Sequence, residues 1–295
     1  MPVSRTQLSR VHTGDSIQNL NRLSGKKPVM EHVRKSVTLV ELKRSLVPPK
    51  WENTVRVIGM SECKEAGLSL AHAFAADELS QYLLDADDMA SYSAEHKWKL
   101  HVDIMTYITA SHCFDGLVTT IGPDHDGVAL WMPPGSVDNG WLTILRSGIW
   151  RLYYQLTAEG RRRYYDELMP LLHDTKHEVM GERDNDCYYL VYLGTKPSAR
   201  GRGYARKLLN DMIQRADAEN RAVYLESSSL SNNVYYSKFG FEYKREICLT
   251  RGNTPVSLFV MVREPIPRKT GVYSAVVASN IKMQVNTAMK EVALV

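Results

Sequence analysis

The sequence predicts an α/β chain in which one mixed, mostly antiparallel sheet is packed with helices. Three observations predict it. Residues 187–227 read as strand, loop, helix and strand, a unit whose two strands run parallel. Residues 116–132 and 242–263 each read as two strands joined by turn residues, so antiparallel hairpins accompany that unit. Apolar residues recur at helical spacing over 61–84, 94–113 and 141–180, enough helix to cover such a sheet.

Taken in order, residues 1–50 form an irregular basic arm, in which lysines and arginines from Arg5 to Lys50 face only Asp15, Glu31 and Glu41. Its first thirty residues are rich in arginine and poor in acids, as in a mitochondrial presequence, but carry no clean amphipathic helix. Pro48-Pro49 closes the arm, and residues 51–265 form the globular domain. A short strand is expected at 55–60, then the helical stretches 61–84 and 94–113. Strands 116–121 and 128–132 are joined through Gly122-Pro123-Asp124-His125-Asp126-Gly127. The insert 141–180 is helical and aromatic-rich, punctuated by Gly148, Gly160 and Pro170 into three pieces. Strand 187–195, helix 203–220, strand 222–227, a short helix at 234–239 and strands 242–249 and 257–263 follow, and residues 266–295 remain as a tail.

Composition narrows the classes. With 44% apolar and 24% charged residues the chain is that of a soluble globular protein, and no apolar run approaches the roughly 20 residues of a membrane helix. No secretory signal or N-glycosylation sequon is found, so a cytoplasmic location is expected. Cys63, Cys113, Cys187 and Cys248 stand far apart, without C-x-x-C spacing, and read as reduced, mostly buried thiols. A net charge of +4 attracts anions weakly and falls short of a nucleic-acid footprint. Neither a nucleic-acid nor a membrane partner is expected.

The most informative stretch is Arg200-Gly201-Arg202-Gly203, at the mouth of a helix. On that helix Ala205, Leu208, Leu209, Met212, Ile213 and Ala216 form an apolar stripe that packs on the sheet. The first turn then lies at the sheet's edge, with unpaired backbone N–H groups and the positive end of the helix dipole directed outward. Gly201 and Gly203 let a ligand come close to the backbone, and Arg200, Arg202 and Arg206 add positive charge. Phosphate suits this arrangement. A Rossmann fingerprint would need glycine or alanine at 206, and a Walker A loop would need G-K-S/T after its second glycine; both are absent. Taken alone, the loop could equally be a basic surface turn.

The surrounding blocks give it a context. Arg200-Gly201-Arg202-Gly203-Tyr204-Ala205 fits R/Q-x-x-G-x-G/A, Leu193-Gly194-Thr195-Lys196-Pro197 precedes it, and Tyr224-Leu225-Glu226-Ser227 and the run Asn232 to Phe241 follow. Together they resemble the GNAT superfamily of acyl-CoA-dependent N-acetyltransferases. With Val128-Ala129-Leu130-Trp131 added, the puromycin N-acetyltransferase branch is the one most resembled. The likeness is strong over 187–242, extends over 55–263 and is absent from both terminal arms.

The resemblance implies the GNAT fold, with central strands that splay apart, and acetyl-CoA as donor. The amides of Arg200, Gly201, Arg202, Gly203, Tyr204 and Ala205 would hold the pyrophosphate; Leu193 and Thr195 would bond the acyl carbonyl and the pantetheine arm, and Asn232 would contact pantetheine. Leu193 N–H is the expected oxyanion donor and Tyr236 the acid for the departing thiolate. A primary amine is mostly protonated near pH 7, so a base is needed, and Glu226 is the candidate. Many family members carry a glutamate on the preceding strand, where this chain has Tyr188 and Tyr189. Glu226 could instead fix the arginine-rich loop.

Trp131, at a strand end before Pro133-Pro134, is the best single residue for substrate contact, against the alternative of core packing. Tyr235 reads as core. His173 and His177, four apart, and Asp85, Asp87 and Asp88 lack the further ligands a metal site needs, so no metal is expected. The expected function is direct acetyl transfer to a primary amine, first of a small molecule and second of a protein lysine or N-terminus. A coenzyme A-binding regulator without turnover and a basic nucleic-acid module are the readings from other classes.

Overall fold

The computed structural model describes residues 46–136 and 140–266. A division falls between Pro48 and Pro49, and every element below lies after it. The tail expected after residue 266, and the basic arm up to residue 45, lie outside the described residues.

Seven strands form one sheet: β1 (Arg56–Ile58), β2 (Leu117–Ile121), β3 (Gly127–Met132), β4 (Tyr188–Thr195), β5 (Val223–Ser227), β6 (Glu242–Leu249) and β7 (Val256–Arg263). Their spatial order is β1-β2-β3-β4-β5-β7-β6. Every neighbouring pair is antiparallel except β4 and β5. The mixed, mostly antiparallel sheet is thus present, with the parallel pair where the strand-helix-strand unit put it. Central β3 and β7 are nearly continuous apolar runs buried on both faces. Edge strand β6 leaves Glu242, Lys244, Arg245 and Glu246 exposed, charges that discourage pairing with another chain.

Helices α1 (Cys63–Ala73), α2 (Glu78–Leu84) and α3 (Ala94–Asp115) share one apolar cluster with Val118, Val128, Leu130, Tyr224 and Val260. Helix α6 (Tyr204–Ala218) packs against alternate residues of the same strands, including Ala129, Trp131, Leu190, Leu225 and Met261. The two clusters therefore occupy opposite faces of the sheet. The α6 stripe is as expected except at its start, where Tyr204 rather than Ala205 is buried, its hydroxyl donating to Glu52 Oε1 at 2.6 Å. Each fully buried leucine of the stripe, such as Leu209, contributes roughly 1.5–3 kcal/mol.

The helix expected over 61–84 is two helices. Asp77 caps the second, its Oδ2 accepting from the amides of Leu79 (3.1 Å) and Ser80 (3.3 Å). The insert departs from its expected punctuation. Its first helix, α4 (Trp141–Ser147), does end at Gly148, which sits at φ +77. The next break comes at Leu156, after which Thr157 caps a helical run that passes through Gly160 and Pro170. Pro170 is tolerated because it stands in the first turn of α5 (Met169–Met180), which follows a π-helical stretch, Arg162–Leu168. Buried Arg163 ties the insert to α2: its Nη1 donates to Tyr82 O at 2.6 Å while the guanidinium lies over the Tyr82 ring.

The central strands splay as the resemblance implied. β4 and β5 pair only at Tyr188–Val223, Tyr189–Tyr224 and Leu190–Leu225. Beyond Leu190 β4 continues along β3, and beyond Leu225 β5 continues along β7. A bulge accompanies the parting: Leu130 opposes Tyr192 while Trp131 opposes Leu190, leaving Val191 as the extra residue. Val191 and Tyr192 consequently both pack on the α3 face, and Leu193 returns to the α6 face.

Candidate active site

A cavity of about 210 Å³ lies where β4 and β5 part. Its walls come from both faces of the sheet: Leu190, Leu193, Leu225 and Tyr236 from the α6 side, and Ile104, Ile108, Tyr164 and Leu168 from the α3 side. The opening between the strands is therefore a passage through the sheet.

Glu226 lines that passage. It follows Tyr224, which packs on the α3 face, and Leu225, which packs on the α6 face, so strand alternation turns its side chain toward α3. Burial pushes its carboxyl up to about 7, while the hydroxyls of Tyr224 and Tyr189 draw it part of the way back. A carboxyl poised there is half ionised near neutral pH and suited to proton transfer.

Asn232 and Tyr236 stand one turn apart on α7 (Leu230–Ser237) and both line the cavity. Ser229 caps α7, its Oγ accepting from Asn232 N at 3.3 Å. The Tyr236 ring is wedged between Tyr235 and Phe241, each 5.7 Å away. Burial, and the neighbouring Tyr235, raise its phenol well above the usual tyrosine value, so it stays protonated and serves as a hydrogen-bond donor. Tyr235 packs against the α6-side cluster, as expected of a core residue.

The start of α6 matches a phosphate seat in its backbone. Gly201 and Gly203 adopt φ +83 and +77, where a side chain would be strained, and a Cβ at either would meet only open space. The first amide after this turn with a backbone acceptor is Lys207, on Gly203 O at 3.1 Å, and Gly203 offers no side-chain cap. The arginines contribute less than expected. Arg200 turns back to Ala73 O, 3.3 Å away, and Arg202 lies 3.7 Å from Glu52 Oε1; Arg206 is exposed. Thr195, at the end of β4, buries its Oγ1 without a hydrogen-bond partner. A ligand running from the α6 start toward the cavity would find these donors unsatisfied.

Trp131 does not reach the site. It is fully buried in the α6-side cluster and forms no part of the cavity wall, because its place on β3 turns the indole under α6. The neighbouring Met132 lines the cavity instead. Tyr188, where the family often has glutamate, donates to Glu219 Oε2 at 2.9 Å on the α6 face, whereas Tyr189 lines the cavity beside Glu226. His173 and His177 pair with Asp174 and Asp184, and Asp85 pairs with Lys97. Asp87 and Asp88 accept hydrogen bonds from Asn253, Thr157 and Glu159. No group of three or more potential metal ligands is found among the described residues.

Sequence reasoning missed Asp77. Its carboxylate lines the cavity, and besides capping α2 it accepts from Ser228 Oγ at 2.6 Å, which fastens α2 to the end of β5 just past Glu226. The signal was legible: Asp77-Glu78-Leu79, an N-cap residue before an acidic first turn, marks a helix start.

Comparison with known proteins agrees with this geometry. Residues 172–243 match the family model described as acetyltransferase (GNAT) domain. An uncharacterized N-acetyltransferase of Schizosaccharomyces pombe is 39% identical over 228 residues, covering 77% of this chain and 90% of its own. Among solved structures, the histone acetyltransferase HPA2 and related acetyltransferase from Corynebacterium glutamicum covers 74% of this chain and 98% of its own at 22% identity and a TM-score of 0.45. A mosquito protein described as arylalkylamine N-acetyltransferase like 5b covers 72% and 99% at 14% identity and a TM-score of 0.47. The domain match and the S. pombe relative define the protein as an acyltransferase. It belongs to the GNAT N-acetyltransferases, enzymes that take their acetyl group from acetyl-CoA.

Proposed function

We propose that this protein transfers an acetyl group from acetyl-CoA directly to the primary amine of a small molecule, both substrates being bound together. One observation carries the reading: the cavity crosses the sheet, with a carboxyl poised at about 7 turned to one face and a protonated phenol on the other. The amine adds to the thioester carbonyl carbon and the thiolate leaves from the resulting tetrahedral centre as a different substituent, so a base and an acid held in separate places suit the reaction. The free amides of residues 201–206, with Thr195 and Asn232, fit the donor's diphosphate and pantetheine. Leu193 N–H is the donor for charge that builds on the carbonyl oxygen.

The protons balance as follows. The ammonium gives one proton to Glu226 and attacks as the free amine; the C–N bond forms, the C–S bond breaks, and nitrogen loses a second proton. Tyr236 donates to the departing sulfur and regains a proton, so one proton ends on the thiol and one in solvent. The blocks that resemble the puromycin N-acetyltransferases favour a small-molecule acceptor over a protein lysine or N-terminus.

The test is release of free thiol from acetyl-CoA across a panel of amines, antibiotics and peptides, repeated with Tyr236→Phe. Turnover with an amine, slowed about tenfold or more in the variant at unchanged donor affinity, is the expected result. An unslowed variant removes Tyr236 from its role, and donor binding without thiol release for any acceptor would leave a non-catalytic coenzyme A-binding regulator.

A further inference from the structure

The acceptor half of the cavity has a chemistry that names its ligand. Ile104 and Ile108 come from α3, Leu168 and Leu172 from the insert, and these aliphatic side chains all line the cavity. The same elements add Ser111, His112 and Tyr164 to the lining, none of them a carboxylate, and His112 is turned onto its own helix, its Nδ1 2.8 Å from Ile108 O. The two carboxylate residues of the lining, Asp77 and Glu226, both stand at the end of β5, Glu226 on the strand and Asp77 bonded to Ser228 just past it. Asp77 is rigidly set by the amides of Leu79 and Ser80 and the hydroxyl of Ser228, which leave a carboxylate further acceptor capacity.

We propose that the acceptor is a monoamine with a compact apolar or aromatic body, drawn in by Asp77, which takes its ammonium, and seated between α3 and the insert. The inference rests on the acetyl-transfer reading and adds the substrate class. An apolar body replaces water along aliphatic walls. A polyamine would carry a second ammonium into that wall, where no carboxylate meets it, and buried unpaired charge is strongly disfavoured. A peptide lysine would bring backbone amides against the same aliphatic surface. Glu226 then takes the proton from the ammonium that Asp77 holds, so one carboxylate serves recognition and the other reaction.

The experiment measures kcat/KM on the full chain with phenethylamine, hexylamine, spermidine and a peptide with a single lysine. Phenethylamine binding is followed separately by calorimetry without acetyl-CoA. Apolar monoamines are expected to exceed spermidine and the peptide by about tenfold or more, from the cost of burying an unpaired charge or amide. Asp77→Asn keeps an equally good N-cap, so the fold is retained. It should raise the KM for phenethylamine about tenfold, the loss of one charge-assisted hydrogen bond, with a much smaller change in kcat. Preference for spermidine or the peptide overturns this inference and leaves acetyl transfer standing. Phenethylamine that binds through Asp77 without releasing thiol upholds the ligand class and overturns the transfer reading. Equal KM values in Asp77→Asn and the parent remove Asp77 from recognition.

Discussion

The two sides of the parted strands are built from different materials. On the α6 side the candidate donor seat is backbone: amides left over at a helix start, two glycines at positive φ, and the end of β4. On the α3 side the proposed acceptor site is side chain: aliphatic residues from α3 and the insert, with Asp77 and Glu226. Backbone recognition tolerates many side chains but depends on local conformation, so it survives in a short contiguous motif. Side-chain recognition is assembled from distant segments and can change one residue at a time. The contrast teaches that the donor half identifies the family and the acceptor half identifies the particular enzyme.

Substitutions on the two sides should therefore fail differently. The largest effect is expected from Glu226→Gln, which removes the base and should lower kcat by about 10²–10⁴-fold. In the parent, kcat/KM should rise with pH and level off above about 7, as the carboxyl ionises. That limb should be missing in the variant. A pH profile that keeps the same limb in Glu226→Gln would falsify the assignment. On the other side, Gly203→Val forces a β-branched residue to φ +77, a strain of roughly 1–3 kcal/mol. We expect a roughly tenfold rise in the Kd for coenzyme A, on the same basis, with amine affinity unchanged. Loss of amine binding as well would show that the two sides are not separable.

A stability measurement sharpens the comparison further. Burial raises the folded Glu226 carboxyl above its ordinary value of 4.5, so the native state holds the proton more tightly than the unfolded chain. The associated stability is fully present below about pH 4.5 and is lost as pH rises through about 7. Glu226→Gln, neutral throughout, should thus match the parent near pH 4.5 and exceed it by about 1–3 kcal/mol at pH 8 in urea titrations. The smallest effect is expected from Arg202→Ala. Its guanidinium lies near Glu52 and is solvent-exposed, so coenzyme A affinity should fall only about two- to fivefold, the scale of an exposed ion pair.

How much was legible follows the same division. The strands, α6 and its apolar stripe, the free helix start, Tyr236 and Glu226 could be read because each depends on periodicity or on a block of adjacent residues. Asp77 was lost because the apolar pattern runs on through 61–84 and hides the cap that divides it. Trp131 was misjudged for another reason: alternation along β3 decides which face a side chain takes, and it places Ala129 and Trp131 together under α6, away from the cavity. Pro170 misled because a proline in a first turn, after a wider π turn, does not end a helix.

Val191 carries a consequence for how this chain can be altered. Strand side chains follow an odd-even rule, and one surplus residue reverses it for everything downstream. Removing Val191 would restore simple alternation, with Tyr192 still on the α3 face and Leu193 still on the α6 face, but it would take away the bulge that accompanies the parting of β4 from β5. A residue inserted there without a second bulge would carry Tyr192 to the α6 face and Leu193 to the α3 face, so the count between Tyr189 and Leu193 sets which side of the sheet each of them takes.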